Sequence, residues 1–332
     1  MLLSLLTVVS LASAPEVAVL SSRGDTAELR FQPIGAAALS PAVVRFTHAE
    51  GSPVQGSLLP ASRVVIASAV LPSGADVSFA SGLLRLESGK PARLLADQLV
   101  YGSKPLISAE GRVFVSRGRA GPVVAGEPRL DQLTIDEIDP SSAKARTVFS
   151  TRGFVAFLVG ALGREVLVYE VNAFGARLVA VHADTLGART VLASMVPMAR
   201  DFVLDAPRKR VLFTQVDTSG DGWHVEEASL TDGSTRVAAS GPEVTLLPAV
   251  RADGRVLISR GEGLGLINVD GSEGLPAQGP GFERLVLERK DLLVGVHERP
   301  SDFPLIFVLK GSEVLQLVTP NDARLSVAGV LP

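Results

Sequence analysis

Short apolar runs recur along this chain, each directly after a polar turn, and their spacing limits the fold more than any other feature. The stretch Pro248–Ala277 shows one whole unit, in which Asp-Gly turns and a glycine-rich loop separate runs rich in Val, Leu and Ile. Seven runs align with the first strand of this unit and lie 36 to 53 residues apart. They begin at Val17, Val64, Val113, Val166, Val211, Val256 and Leu292. Helical periodicity is nearly absent, and repeats of this length predict an all-β fold, a β-propeller built from four-stranded blades.

We name the strands of each blade A to D, from the centre of the propeller outwards. The aligned runs are predicted as strand B, strands C and D follow each of them, and Gly153–Gly160 is the clearest strand A. The first repeat lacks a strand A of its own, whereas the run Leu325–Leu331 has no strand B after it. We therefore expect Leu325–Leu331 to complete blade 1 and to close the ring. Seven blades fit the spacing best, and six would follow if the N-terminal third is irregular.

Two stretches carry a resemblance to a known group of repeats. Pro248-Ala-Val-Arg-Ala-Asp-Gly-Arg-Val-Leu-Ile-Ser and Gly265-Leu-Ile-Asn-Val-Asp-Gly resemble bacterial propellers of the TolB type, and Ser108-Ala-Glu-Gly-Arg-Val-Phe-Val-Ser is a fainter copy. In that family an Asp-Gly turn lies between strands A and B, and another follows strand C. The resemblance implies the propeller fold more than a function, because propellers carry many unrelated activities.

Composition excludes several classes of function. The net charge is -3 and charged residues make up 20% of the chain, so electrostatics does not favour nucleic acid or an anionic membrane as a partner. Cysteine is absent, which excludes disulfides, thiolate nucleophiles and cysteine-bound metals. Arginine greatly outnumbers lysine. We attribute this excess to a GC-rich coding genome rather than to an arginine-based site.

The N-terminal segment 1–14 is typical of a secretory signal. Leu2–Leu11 forms an apolar core, and Ala12-Ser13-Ala14 fits the small-x-small cleavage pattern. No Lys or Arg precedes the apolar run, and Pro15 would follow the cut, so a first buried strand is the alternative. We expect a signal peptide at 1–14, a single propeller domain at 15–332, and a periplasmic or secreted protein. The apolar run is too short to span a bilayer, and no other stretch qualifies.

The connections between strands B and C are predicted to be long and irregular, whereas most C–D turns are minimal. The long ones are Ser68–Gly82, Arg117–Arg129, Asp217–Trp223 and Glu298–Phe303. Loops on a rigid scaffold often carry function, so we predict a binding face at this end, with neutral insertions as the alternative. Its candidate residues are Trp223, His224, Arg117 and Arg119. Trp223 follows a loop at a strand start, where an aromatic residue usually packs between blades.

The clearest local motif is Asp217-Thr-Ser-Gly-Asp-Gly-Trp. Asp217, Ser219 and Asp221 place oxygens at positions 1, 3 and 5 of a loop, with glycine at position 6, as in the front half of a calcium loop. Position 12 holds Ala228, which supplies no side-chain oxygen. A solvated hairpin in which Asp and Gly provide turn geometry is therefore the simpler interpretation. Calcium is the one cofactor that the sequence suggests.

No catalytic set of residues stands out, so the sequence favours an exported, non-catalytic propeller that binds a protein or small molecule through its B–C loops. The alternative is an exported hydrolase or lyase, similar to a lactonase, with a metal at the mouth of the central channel. The four histidines are dispersed and have no metal-ligand spacing, which disfavours that alternative. A single Trp disfavours glycan binding. We expect a monomer.

Overall fold

The computed structural model describes residues 14–72, 81–124, 127–217, 222–242, 246–260, 263–274, 284–289, 292–299 and 302–332. These residues form 27 β-strands and no helix. The first fifteen are β1 (Glu16–Arg23), β2 (Thr26–Pro33), β3 (Val44–Thr47), β4 (Val54–Leu58), β5 (Val64–Val70), β6 (Ser81–Glu87), β7 (Arg93–Leu99), β8 (Leu106–Ile107), β9 (Val113–Val124), β10 (Glu127–Ile138), β11 (Ala145–Thr151), β12 (Val155–Leu162), β13 (Glu165–Asn172), β14 (Gly175–His182) and β15 (Ala188–Met195). The others are β16 (Arg200–Asp205), β17 (Arg210–Val216), β18 (Trp223–Ser229), β19 (Thr235–Gly241), β20 (Leu247–Val250), β21 (Val256–Arg260), β22 (Gly263–Ile267), β23 (Arg284–Arg289), β24 (Leu292–Arg299), β25 (Asp302–Lys310), β26 (Glu313–Gln316) and β27 (Arg324–Leu331).

The strands form small antiparallel sheets in a propeller-like arrangement, as the repeats predict. In chain order the sheets are β27-β1-β2-β3, an eight-stranded sheet of β4–β11, β12–β15, β16–β19, the three-stranded β20–β22, and β23–β26. Five sheets therefore have four strands or more, instead of the seven separate blades predicted. The pair Leu99–Arg117 joins the expected blades β4–β7 and β8–β11 into one sheet, which lowers the count. The β20–β22 sheet has no fourth strand among the described residues.

The strand assignments within the sheets follow the sequence pattern closely. The seven aligned runs are β1, β5, β9, β13, β17, β21 and β24, and each pairs with the strand that follows it as a hairpin. The predicted inner strand Gly153–Gly160 is β12. Most residues of the B strands are buried, because both faces of each sheet pack on a neighbour. This double burial explains why these strands read as continuous apolar runs and not as alternating ones.

The last strand, β27, belongs to the first sheet. It pairs with β1 in antiparallel register, with Val17 opposite Val330 and Leu20 opposite Ser326. One register shift interrupts this ladder, between Ala18 and Val19. The run Leu325–Leu331 is therefore the fourth strand of the β27-β1-β2-β3 sheet.

Apolar clusters lie between neighbouring sheets, and between the two halves of the eight-stranded sheet. In the cluster between the first sheet and β4–β7, for example, Leu20 packs with Val65. A further cluster joins the last sheet to the first, where Val294 and Val308 share a core with Val19 and Val327. Burial of these side chains supplies most of the driving force for stacking the sheets.

Buried hydroxyl groups on three of the B strands donate to backbone carbonyls of a neighbouring inner segment. Ser116 Oγ donates to Ala156 O at 2.9 Å, and Thr214 Oγ1 donates to Leu246 O at 2.6 Å. Ser68 Oγ donates to Ser103 O at 2.6 Å. Because Ser116 and Thr214 end the runs Val113-Phe-Val-Ser and Val211-Leu-Phe-Thr, the polar last residue of a run marks a tie between sheets, which the sequence analysis missed.

Arginine side chains make similar ties at the other end of the sheets. Arg210 Nη2 donates to Gly254 O at 2.6 Å, and Arg85 Nη1 donates to Pro140 O at 3.1 Å, each carbonyl lying in a turn of the next sheet or half-sheet. Arg189 reaches Leu230 O in the same way. These bonds give arginine a structural use in addition to any effect of the coding genome, since guanidinium groups donate several hydrogen bonds at once.

Candidate functional site

Antiparallel pairing places the B–C turns and the D–A connections at one end of every sheet, which we call the B–C end. The A–B and C–D turns lie at the opposite end, the A–B end. Candidate binding residues from the sequence analysis all belong to the B–C end.

The prediction of an irregular loop at Arg117–Arg129 is wrong. Strands β9 and β10 each run for 12 residues and form one long hairpin through this segment. Arg119 pairs with Gln132, and Val124 with Glu127. Glycine and proline made the segment look irregular, but Pro128 lies beside a register shift, where a strand tolerates a missing N–H.

The other predicted B–C loops are shorter in the structure or fall outside it. Arg299 pairs with Asp302, so strands β24 and β25 take up most of Glu298–Phe303. Residues 73–80 of Ser68–Gly82, and 218–221 of Asp217–Trp223, lie outside the described residues.

Arg117 is held within its own sheet. Its Nη1 donates to Asp136 Oδ2 at 2.9 Å, and its Nη2 contacts Asp97 Oδ1 at 3.1 Å. Asp136 is buried and also accepts from Thr147 Oγ1 at 2.8 Å. A guanidinium that neutralises a buried carboxylate has a structural role. The side chain of Arg119 lies outside the described part of the chain, so its assignment to the binding face stays a prediction.

His224 lies in a polar cluster at the start of β18. Its Nδ1 is hydrogen-bonded to the carboxylate of Asp217, and its Nε2 lies 3.0 Å from Gln215 Nε2 and 3.5 Å from Glu226 Oε2. Gln215 Nε2 also donates to Glu226. A neutral ring that donates from Nδ1 and accepts at Nε2 satisfies this geometry. Both ring nitrogens therefore lie within the hydrogen-bonded cluster.

Trp223 packs next to this cluster, and the arginine Arg200 stacks on its ring, with the guanidinium carbon 4.3 Å from the ring centroid. Trp223 is half-buried against the core between the β16–β19 sheet and β20–β22. This cation–π contact orders both side chains at the B–C end. The structure therefore places Trp223 and His224 together, and Arg117 on a different sheet.

The calcium loop is only partly described. The carboxylate of Asp217 turns towards His224, and its backbone N–H donates to Gly222 O at 2.9 Å. Ser219 and Asp221 lie outside the described residues, so a calcium site remains a prediction that calorimetric titration with calcium would test. Among the residues that the structure does describe, no group of three His, Asp or Glu side chains could hold a metal ion.

Exposed aromatic side chains are a feature of the B–C end that the sequence analysis missed. Within the described chain, every exposed aromatic residue lies in, or within three residues of, a B–C or D–A connection. They are Tyr101, Phe154, Phe157, Phe174 and Phe303. Phe174 is 99% exposed and Phe154 is 70% exposed. Exposed aliphatic residues, in contrast, also occur at the A–B end, where Leu186 and Val269 lie in turns.

Hydrogen bonds fix the backbone of Phe154 and of Phe174 at the same end of the β12–β15 sheet. The N–H of Phe154 donates to Val171 O at 2.7 Å, which links its D–A connection to the β13–β14 turn. The N–H of Phe174, in that turn, donates to Asn172 Oδ1 at 2.8 Å. Both aromatic rings therefore project from segments with a fixed backbone.

Three further exposed residues extend this surface. Phe157 pairs with Tyr169, whose hydroxyl donates to Val196 O at 2.7 Å and so anchors the connection that carries the exposed Met198. On the other side, the N–H of Val100 donates to Ser116 O in β9, and Ser116 Oγ donates to Ala156 O in β12, so the connection that carries Tyr101 lies beside the same sheet. We call Tyr101, Phe154, Phe157, Phe174 and Met198 the aromatic patch.

No helix in the described residues has the length and apolar character needed to cross a bilayer.

Comparisons with known proteins agree on the fold. No family model matches the sequence, and no curated protein sequence does either. Among solved structures, TolB from Acinetobacter baumannii is similar at 10% identity with a TM-score of 0.51, covering 95% of this chain and 66% of that one. A prolyl endopeptidase has 14% identity and a TM-score of 0.60, covering 94% of this chain and 50% of that one. An oligogalacturonate lyase in complex with manganese has 9% identity and a TM-score of 0.57, covering 86% and 82%.

These likenesses confirm the TolB-type resemblance at the level of fold. The chain spans about two thirds of the TolB chain and about half of the prolyl endopeptidase chain. Because the identities are low, and the similar structures include both TolB and enzymes, the comparisons do not separate a binding protein from a hydrolase or lyase.

Proposed function

We propose that this protein is a non-catalytic binding propeller that engages a protein partner through the aromatic patch at its B–C end. The carrying observation is that the exposed aromatic residues of the described chain gather at that end. Contiguous exposed apolar surface commonly marks a partner site, and aromatic residues and arginine are enriched at protein interfaces. Arg152 is exposed in the same connection as Phe154 and extends the patch with a cation.

The backbone under the patch is ordered before any partner binds. Tyr169, Ser116 and Asn172 fix the segments that carry the exposed side chains. A preorganised surface loses less conformational entropy on association, so more of the contact energy contributes to affinity. We expect Phe154 and Phe174 to be the residues with the largest individual effects, because they are the two most exposed aromatic residues at the B–C end among the described residues.

The proposal includes the finer architecture and the site of action. We infer a ring of seven blades, in which β4–β7 and β8–β11 act as separate blades although the pair Leu99–Arg117 connects them. The cluster that joins the last sheet to the first supports a closed ring. The apolar segment 1–14 supports export to the periplasm or beyond.

The test is a crosslinking experiment with matched variants. The tagged protein would be isolated from its own envelope and secreted fractions after mild crosslinking, and bound proteins would be quantified by mass spectrometry. Wild type should recover a stoichiometric partner that the double variant Phe154→Ser/Phe174→Ser does not. The affinity of the purified partner for this variant should be lower than for wild type by at least roughly 30-fold. The control Leu186→Asn/Val269→Ser removes exposed apolar side chains from the A–B end and should retain binding.

Two results would contradict this function. Equal recovery of the partner with both double variants would place the interface elsewhere. A preparation with no partner, but with bound metal and hydrolase or lyase activity, would favour the catalytic alternative with a metal at the channel mouth.

A further inference from the structure

The inner strands line an open cavity of about 610 Å³. Its wall is mainly apolar and comes from five inner segments. Representative lining residues are Leu58, Leu106, Leu158, Phe202 and Val330. This volume falls within the range of sites that hold small organic ligands, and a largely apolar wall with few polar groups is typical of such sites.

Among the described residues that line the cavity, Lys104 is the one with an ionisable side chain. It lies just before β8, and hydrogen bonds fix the backbone on both sides of it. Ser68 Oγ donates to Ser103 O, and Ser57 Oγ donates to Pro105 O, each at 2.6 Å. These two bonds come from the neighbouring β4 and β5, so the position of Lys104 in the wall is set by the sheet packing.

The ammonium group of Lys104 has no carboxylate partner among the described residues. Lys104 is exposed to the solvent of the cavity, and desolvation by the protein around it lowers its pKa to about 8. At neutral pH the group still carries a positive charge for most of the time. A cation beside a mainly apolar wall attracts an anion more strongly than a cation in bulk water does, because the local dielectric constant is lower.

The ionisable groups next in sequence to other lining residues are already paired. Arg63, beyond the turn after β4, is paired with Glu16. Arg200, two residues before Phe202, is 3.2 Å from Asp201, whose pKa is raised by burial. These groups leave Lys104 as the one available cation of the described cavity wall.

We propose that the cavity binds a carboxylate with an apolar tail, with its carboxylate on Lys104 and its tail against Leu158 and Phe202. A single ammonium matches a single negative charge. Phosphate esters with two charges would normally need further cations or a guanidinium fork, which this wall does not supply. The cavity and the aromatic patch share no residue, although Lys104 lies in the same connection as Tyr101 and Leu158 follows Phe157.

Calorimetric titration with octanoate tests this inference on the whole protein. Wild type should bind octanoate at one site per chain and octan-1-ol more weakly. Lys104→Met should weaken octanoate binding by at least about tenfold, whereas Lys104→Arg should stay within about threefold. Lys90→Met is the matched control, since Lys90 is exposed and pairs with Glu87 outside the cavity.

A pH series on wild type provides a second measurement that requires no variant. Octanoate stays ionised above neutral pH, so its affinity should fall as the pH rises through about 8, where Lys104 loses its proton. Absence of octanoate binding at millimolar concentration would overturn the inference. So would unchanged affinity in a folded Lys104→Met, or an affinity that is independent of pH. The double variant Phe154→Ser/Phe174→Ser should bind octanoate with the wild-type affinity. The octanoate titration and the partner assay therefore test the two proposals independently.

Discussion

Val17 lies opposite Val330 in adjacent antiparallel strands, although more than 300 residues separate them in the chain. Strand β27, which carries Val330, has one buried face in each of two cores. Val327 belongs to the cluster shared with the last sheet, and Ala328 belongs to the cluster shared with β4–β7. This one strand therefore connects the first sheet to both of its neighbours.

Removal of this strand should destabilise the whole domain. We expect deletion of residues 323–332 to lower the melting temperature by at least about 5 °C, because it exposes both cores and leaves β1 without a partner on one edge. Differential scanning calorimetry checks the result. Unchanged stability would show that β27 contributes little.

A point variant in the same strand gives a finer comparison. A Cβ on Gly329 would lie 2.6 Å from Leu58 Cβ, so Gly329→Val should cost about 1–3 kcal/mol through overpacking. Gly263→Ala is the control, since its added Cβ meets no atom within 4 Å.

Arg210 should be among the most sensitive charged residues. It is buried and contacts Asp205 Oδ2 at 2.8 Å and Glu227 Oε2 at 2.6 Å. Arg210→Met leaves the buried Asp205 with less compensation, and we expect a loss of about 3–5 kcal/mol in the free energy of unfolding by urea denaturation. Arg255→Met removes an exposed ion pair with Asp253 and should cost less than about 1 kcal/mol. Similar losses for both variants would contradict this assignment.

The hydroxyl ties between sheets should be measurable one at a time. Thr214→Val keeps the shape of the side chain but leaves Leu246 O without its donor, so it should cost about 1–3 kcal/mol. Thr190 is exposed, and Thr190→Val should change stability by no more than about 0.5 kcal/mol. Denaturation of the two variants side by side decides whether the buried hydroxyl matters.

His48 should make stability dependent on pH. Its ring is buried, Nδ1 lies 3.1 Å from Ser52 Oγ, and desolvation lowers its pKa from 6.5, with Arg324 acting in the same direction and Asp25 opposing it. Below pH 6.5 the unfolded chain takes up a proton that the folded state resists, so stability should fall as the pH falls.

The matching measurement compares melting temperatures between about pH 7.5 and about pH 5 for wild type and His48→Gln. The variant should show a smaller decrease than wild type. Parallel curves would mean that His48 does not contribute to the acid sensitivity.

Local pattern predicted the strands because turn chemistry and apolar runs are local properties. Val256-Leu-Ile-Ser between two Asp-Gly turns is a strand wherever it packs. The number of sheets was harder to predict, since the pairing of Leu99 with Arg117 depends on how two neighbouring repeats pack against each other. The long β9–β10 hairpin was missed because Gly-Pro sequences usually mark loops.

The two candidate sites were harder still to predict. Phe154 and Phe174 look like core residues in a one-dimensional sequence, and only their exposure separates them from the buried Phe213. Lys104 stands beside a proline in what reads as a loop, and its significance depends on five inner segments that surround one space. Neither property has a sequence pattern of its own.

The pairing of β27 with β1 also sets the order of events during synthesis. The ribosome produces β1 long before β27, so one edge of β1 remains open while the sheets between them are being made. An open edge can pair with another chain, and contacts between such distant segments form slowly. Nascent chains of this protein are therefore expected to need protection from aggregation until the final strand emerges.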